Sequence, residues 1–132
     1  MRGRGGQGGQ SMVEFTMTIG LLMVLIVATT QIAIYLHYRN TLALVTKEGA
    51  FEAGLAGHTT ADGERTAREL WAKLEPGAGP LVVNAQNQGD LVIVSATATA
   101  PAIIPVPFPP FNRLPVRASA VHTVEAFRPG SK

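Results

Sequence analysis

Hydrophobic and polar positions follow three different periods along this chain. From Phe15 to Leu36 there is no alternation at all: 22 consecutive residues include no Asp, Glu, Lys, Arg or His. At ~1.5 Å per residue the run is roughly 33 Å long as a helix, enough to cross the hydrocarbon core of a bilayer. A buried helix of a soluble domain would need cover on every side, and a chain of 132 residues has too little left to provide it. Thr16, Thr18, Thr29, Thr30 and Gln31 lie inside the run. Hydroxyls can bond back to helix carbonyls, so lipid tolerates them. Gly20 is a candidate soft point. Past the run the pattern turns helical. Leu44, Phe51 and Leu55 recur at i, i+7 and i+11, with Leu42 and Val45 nearby and Lys47, Glu48 and Glu52 between them. The spacing predicts one helix from about Ser11 to Gly57, which stops it.

Residues 59–75 predict a second, amphipathic helix. Thr59-Thr60-Ala61-Asp62 offers caps, and Ala67, Leu70, Trp71 and Leu74 make a stripe expected to pack on strands. Glu64 with Arg68, and Glu69 with Lys73, are i,i+4 pairs of favourable order. Pro76-Gly77-Ala78-Gly79-Pro80 ends that helix. Three strand candidates follow: a short Leu81–Val83, an alternating Leu91–Thr99 after a turn at Asn87-Gln88-Gly89-Asp90, and an alternating Val116–Phe127. The fold class this predicts is α+β, with a small antiparallel sheet packed on the helices. Between the last two strands, Pro101 to Pro115 holds six of the nine prolines and reads as an extended loop. Its two phenylalanines suit it to lie on its own sheet or to dock another subunit.

Composition narrows the chemistry. The absence of cysteine excludes a disulfide framework, a thiolate metal site and a cysteine nucleophile. A formal net charge of +2 does not make a nucleic-acid binder. His37, His58 and His122 stand alone, with no second histidine at i,i+4, so no metal and no cofactor is expected. No G-x-S-x-G elbow or Ser/Lys motif occurs, and Asp62 and Glu64 read as helix caps rather than a catalytic pair. The expectation is a protein that is not an enzyme. Gly3-Arg4-Gly5-Gly6-Gln7-Gly8 matches G-x-G-x-x-G formally, but no strand precedes it and a membrane helix follows.

The segment before the apolar run carries the functional reading. Met1–Gly9 holds five of 14 glycines and cannot fold alone. Arg2 and Arg4 precede the run with no acid before Glu14, which keeps the N-terminus cytoplasmic. Tyr35-Leu36-His37-Tyr38-Arg39 does not look like a secretory cleavage site, so the span stays. Glu14 is the anomaly, since a carboxylate carried to mid-bilayer costs about 2.5–3.5 kcal/mol. It can snorkel to the headgroups, or it can wait for a cation. Were the leader cut between Gly9 and Gln10, the new α-amine would lie one helical turn from Glu14, or reach a neighbour's Glu14.

Gly9-Gln10-Ser11-Met12-Val13-Glu14-Phe15 and the apolar run resemble a class III signal peptide, the processing site of type IV pilins. More closely, they resemble the TadE-like pseudopilins of the tight-adherence (Tad/Flp) pilus. Tyr38-Arg39-Asn40 and Lys47-Glu48-Gly49-Ala50 are similar to that family's tyrosine-containing stretch and basic-Glu-Gly-Ala motif. At Gly20 the family often carries proline. The resemblance implies a pilin-like fold and three parts: a leader at 1–9, a transmembrane and assembly helix at 10–57, and a small extracytoplasmic α+β domain at 58–132. It implies processing at Gly9 and Gln10 by prepilin peptidase, and assembly through Gln10, Glu14 and Phe15. The implied partners are that peptidase, other Tad pilins and pseudopilins, the inner-membrane platform and the bilayer. Cleavage would leave nine basic against nine acidic residues, a neutral rod suited to lateral packing. An N-terminal glutamine can also cyclise, which would remove the amine. The rival class is an uncleaved single-pass membrane protein with a small extracytoplasmic binding domain.

Overall fold

The computed structural model describes residues 7–103 and 113–125. The uncharged run and the amphipathic stretch after it form a single helix, α1 (Gln7–Gly54), 48 residues long and unbroken at Gly20. It spans roughly 72 Å at ~1.5 Å per residue. Residues 7–26 are all exposed, whereas the part beyond Thr41 enters the core of the domain. The domain is completed by α2 (Thr60–Leu74) and an antiparallel sheet of β1 (Val82–Gln88), β2 (Leu91–Pro101) and β3 (Arg113–Thr123), in the order β1-β2-β3.

Each boundary has a local cause. α1 stops at Gly54 rather than Gly57 because β3 closes on it there. The Gly54 carbonyl accepts from the Glu125 N–H at 2.8 Å, and a Cβ on Gly54 would stand 2.5 Å from the His122 ring. Gly57 then turns the chain with φ +84°. Thr59 caps α2 as a full capping box: its N–H donates to Asp62 Oδ2 at 2.9 Å, and its hydroxyl accepts from the Asp62 N–H at 3.3 Å. The first hairpin is tighter than the four-residue turn expected, with Gln88 facing Leu91 across a Gly89-Asp90 loop. Gly89 has φ +63°, as the first loop position of a type II′ turn requires. β1 therefore runs through Gln88, well past the short Leu81–Val83 expected, and Pro101 and Pro115 lie within strands. The centre of the Pro-rich segment, 104–112, and the residues after Glu125 lie outside the described residues.

The sheet turns Val92, Val94, Ala96, Ala98, Ala100 and Val116 inward toward α1, and Val83 on β1 inward toward α2. Two expectations about the helices are corrected. The buried face of α1 is Leu42, Val45, Thr46, Gly49, Ala50 and Ala53, while Leu44 and Phe51 are about half exposed at 49% and 46%. Likewise, α2 packs chiefly on α1, reaching the sheet mainly at β1, and it buries Gly63, Ala67 and Trp71 while Leu74 is exposed. The reason is distance. A Cβ on Gly49 would lie 2.9 Å from the Gly63 carbonyl oxygen, so two helix backbones touch where larger side chains would hold them apart. Glu64 pairs with Arg68 at 3.2 Å as expected and also accepts from the Ala85 N–H at 2.9 Å, tying up a donor on the edge strand β1.

Candidate functional site: the amino-terminal helix

Every residue singled out for processing or assembly lies on the bare end of α1. Gly9 and Gln10 are in its first turn, Glu14 stands one turn on, and Phe15 is 66% exposed. Gln10 and Glu14 are i and i+4 and share a helix face. Among the described residues nothing lies within 4 Å of where a Cβ on Gly8 or Gly9 would be, so no other element packs against that side of this turn. Each glycine costs a helix about 1 kcal/mol relative to alanine, so unwinding this turn is cheap. Among the described residues no basic side chain pairs with Glu14.

Above Glu14 the surface is apolar around the whole circumference. Met17 and Leu21 are each 72% exposed, and no residue of the most hydropathic 18-residue window is buried. A monomer in water rarely carries such a surface. The hydroxyls within it are satisfied by the helix itself: Thr16 donates to the Met12 carbonyl at 2.9 Å, Thr18 to Glu14, Thr29 to Leu25 and Thr30 to Ile26, each at 2.8 Å. Gln31 breaks that pattern. Its amide nitrogen donates to the Pro101 carbonyl at 3.3 Å and its oxygen accepts from the Ile103 N–H at 2.8 Å.

Just beyond, a polar knot joins α1 to the end of α2. The Glu75 carboxylate, 8% exposed, receives the Thr41 hydroxyl at 3.0 Å and His37 Nε2 at 2.8 Å. A carboxylate at a helix C-terminus opposes the helix dipole, and these two partners offset that. Burial, and then the Glu75 charge, push the Tyr38 phenol above its ordinary pKa. Tyr38 meets Trp71 edge-on at 6.1 Å, and the Trp71 indole N–H donates to the Gly79 carbonyl at 3.2 Å. Trp71 is thus a core residue. The histidines, isolated in the sequence, each meet a partner: His37 has Glu75, His58 has Glu52 at 2.9 Å, and His122 has Phe51 at a ring distance of 5.4 Å. No spacing rule foretold these contacts, because most of them join separate elements.

A helix with one half bare and apolar and the other half the spine of a small α+β domain points to a membrane-associated protein. Residues 9–51 of the chain match the family described as TadE-like protein. The match covers about a third of the chain, from Gly9 to just past Lys47-Glu48-Gly49-Ala50, and over that stretch the chain is similar to that family. Neither a curated protein nor a solved structure matches it. The family match supports a structural, pilus-associated role among other components of a Tad pilus. The structure gives part of the shared motif a physical function, since Gly49 is where α2 crosses α1.

Proposed function

We propose that this protein is a minor pilin or pseudopilin, cleaved after Gly9 by prepilin peptidase and incorporated through α1 into a Tad-type pilus or its assembly base, supporting adhesion and pilus biogenesis. One observation carries this reading: an all-round apolar helix half with a single carboxylate, Glu14, at its mouth, one turn from Gln10. Before processing, the N-terminus stays in the cytoplasm and Glu14 lies near the cytoplasmic edge of the bilayer, its carboxylate reaching toward the headgroups. Cleavage leaves Glu14 one turn from the new start of the helix, close to its positive end, which favours an anion. The new α-amine, on the same subunit or a neighbour, neutralises it once the helix leaves lipid for a bundle of like helices. Subunits then pack in a heterologous array that need not close.

Replacing Glu14 with alanine, with cleavage and pilus assembly scored separately, tests this. Cleavage persists and assembly fails on this reading; normal piliation refutes it. A second reading, an uncleaved anchor carrying a small extracytoplasmic binding domain, draws on the helical form of the chain through Gly9 and Gln10. Mass spectrometry of the membrane-extracted protein separates the two, because an intact Met1–Gly9 favours the uncleaved anchor.

A further inference from the structure

We infer that the Gln31 clamp fixes where the chain leaves the bilayer, and that the β2–β3 end of the domain rests on the extracytoplasmic lipid surface there instead of standing off on a stalk. The inference rests on α1 spanning the membrane. The uncharged run alone would put the outer boundary at Leu36. The structure puts a protein contact five residues earlier: Gln31 uses both ends of its amide on the backbone of Pro101 and Ile103. Below it, each threonine of the run bonds its own helix. Gln31 is therefore the first side chain of α1 to seek a partner outside the helix among the described residues.

The strand geometry agrees. From Gln31 to Gly54, α1 is roughly 35 Å long, close to the ~33 Å of an eleven-residue strand. β3 meets the far end of α1 through His122 and Glu125, and β2 returns to the near end at Pro101. The β2–β3 end thus faces the membrane. At this level Ile32 and Ile103 are exposed at 58% and 50%. The clamp removes a free carbonyl and a free N–H from a place where lipid offers no partner.

The clamp also sets the other end. A hydrocarbon core of ~30 Å takes about 20 residues of helix, so an exit at Gln31 starts the span near Ser11 and puts Glu14 about one turn inside the cytoplasmic edge. An exit at Leu36 would leave Glu14 outside it.

The chain has no cysteine, so single substitutions report one position each. Leu25→Cys, Leu36→Cys and Ile103→Cys are spin-labelled in the full chain, reconstituted into phosphatidylcholine–phosphatidylglycerol vesicles, and compared for oxygen and aqueous nickel-chelate access. Labels at 25 and 103 should favour oxygen, and the label at 36 the chelate. Adding Gln31→Leu, which keeps the helix apolar, should raise chelate access at 103 severalfold and leave 25 unchanged, with Trp71 emission confirming the fold. The inference is overturned if the label at 103 favours the chelate in the unaltered background, or is shielded from both probes by protein, or ignores Gln31→Leu. A label at 25 open to the chelate removes the membrane span itself. Leader cleavage, scored by mass, is independent of all these outcomes and tests only the pilin reading.

Discussion

Gly63→Ala tests how closely α1 and α2 must approach. The added Cβ would lie 2.6 Å from Ala53 Cβ and closer still to the Gly49 carbonyl oxygen. Carbon atoms pack favourably at about 3.5–4.0 Å, so α2 must retreat by about 1 Å. The retreat loosens Ala67, wholly buried, and Trp71, 3% exposed, both held against α1 by the same crossing. Overpacking of this kind costs about 1–3 kcal/mol. Alanine in a helix interior returns about 1 kcal/mol of propensity. With both obstacles on the opposing helix and one of them backbone, the upper end of the cost applies, leaving a net loss of about 2 kcal/mol. In a domain of this size that lowers the melting midpoint by about 10 °C. Trp71, the one tryptophan, reports unfolding of the detergent-solubilised chain directly. Gly20→Ala is the control, since nothing lies within 4 Å of its Cβ position, and it should leave the domain midpoint unchanged. A Gly63→Ala protein that melts with the wild type or above it refutes the close crossing.

Other substitutions check other parts of the structure. Val45→Ala should cost about 2 kcal/mol and Leu44→Ala well under 1, because Val45 is wholly buried and Leu44 half exposed; urea midpoints followed by circular dichroism decide it. Thr59→Ala removes the capping box and should destabilise the domain by about 1 kcal/mol, read as faster amide exchange in the first turn of α2. Hydrogen bonds from the Thr59 backbone and hydroxyl, with the charges of Arg65 and His58, hold the Asp62 carboxyl below its usual range. A lowered folded-state value gives stability that is present above the unfolded carboxyl pKa and lost as pH falls through the folded one. Asp62→Asn should therefore flatten the acid limb of stability below about pH 4, measured by urea midpoints across that range.

What the sequence revealed was whatever is local in the chain. A charge-free run, a capping box, an alternating β2 and the spacing from Gly9 to Glu14 each lie within one element, so periodicity and composition expose them. The buried face of α1 escaped because size misleads there. Leu44, Phe51 and Leu55 are the bulky residues, yet the face that meets α2 and the sheet is the smaller set Leu42, Val45, Thr46, Gly49, Ala50 and Ala53, at a cleaner helical spacing. A hydrophobicity scale gives glycine and threonine little weight, although both are what a close crossing needs. β1 was cut short for a related reason: Asn84, Gln86 and Gln88 project from the outer side of an edge strand and do not read as strand formers. The Gln31 clamp joins positions 70 residues apart, and His37 with Glu75 joins two helices, so neither has a local signature.

That division of α1 bears on how the proposed pilin subunit would work. A helix that is to leave lipid for a protein bundle changes its whole surroundings, and a domain whose core depended on the moving half would be disturbed each time. Here the core of the domain begins at Leu42, while residues 7–26 touch nothing in the domain that buries them. Between these two stretches Tyr35 and Tyr38 pack against the edge of the core, and Gln31, His37 and Thr41 make polar contacts to backbone or to the Glu75 carboxylate. Apolar burial therefore stabilises the domain without drawing on the bare half, and that half can exchange lipid for neighbouring helices at no cost to the fold above it. The constraint falls on length instead. With the clamp fixed, inserting or deleting one turn between Thr18 and Thr30 would shift Glu14 by about 5.4 Å relative to the domain while leaving every contact of the core in place.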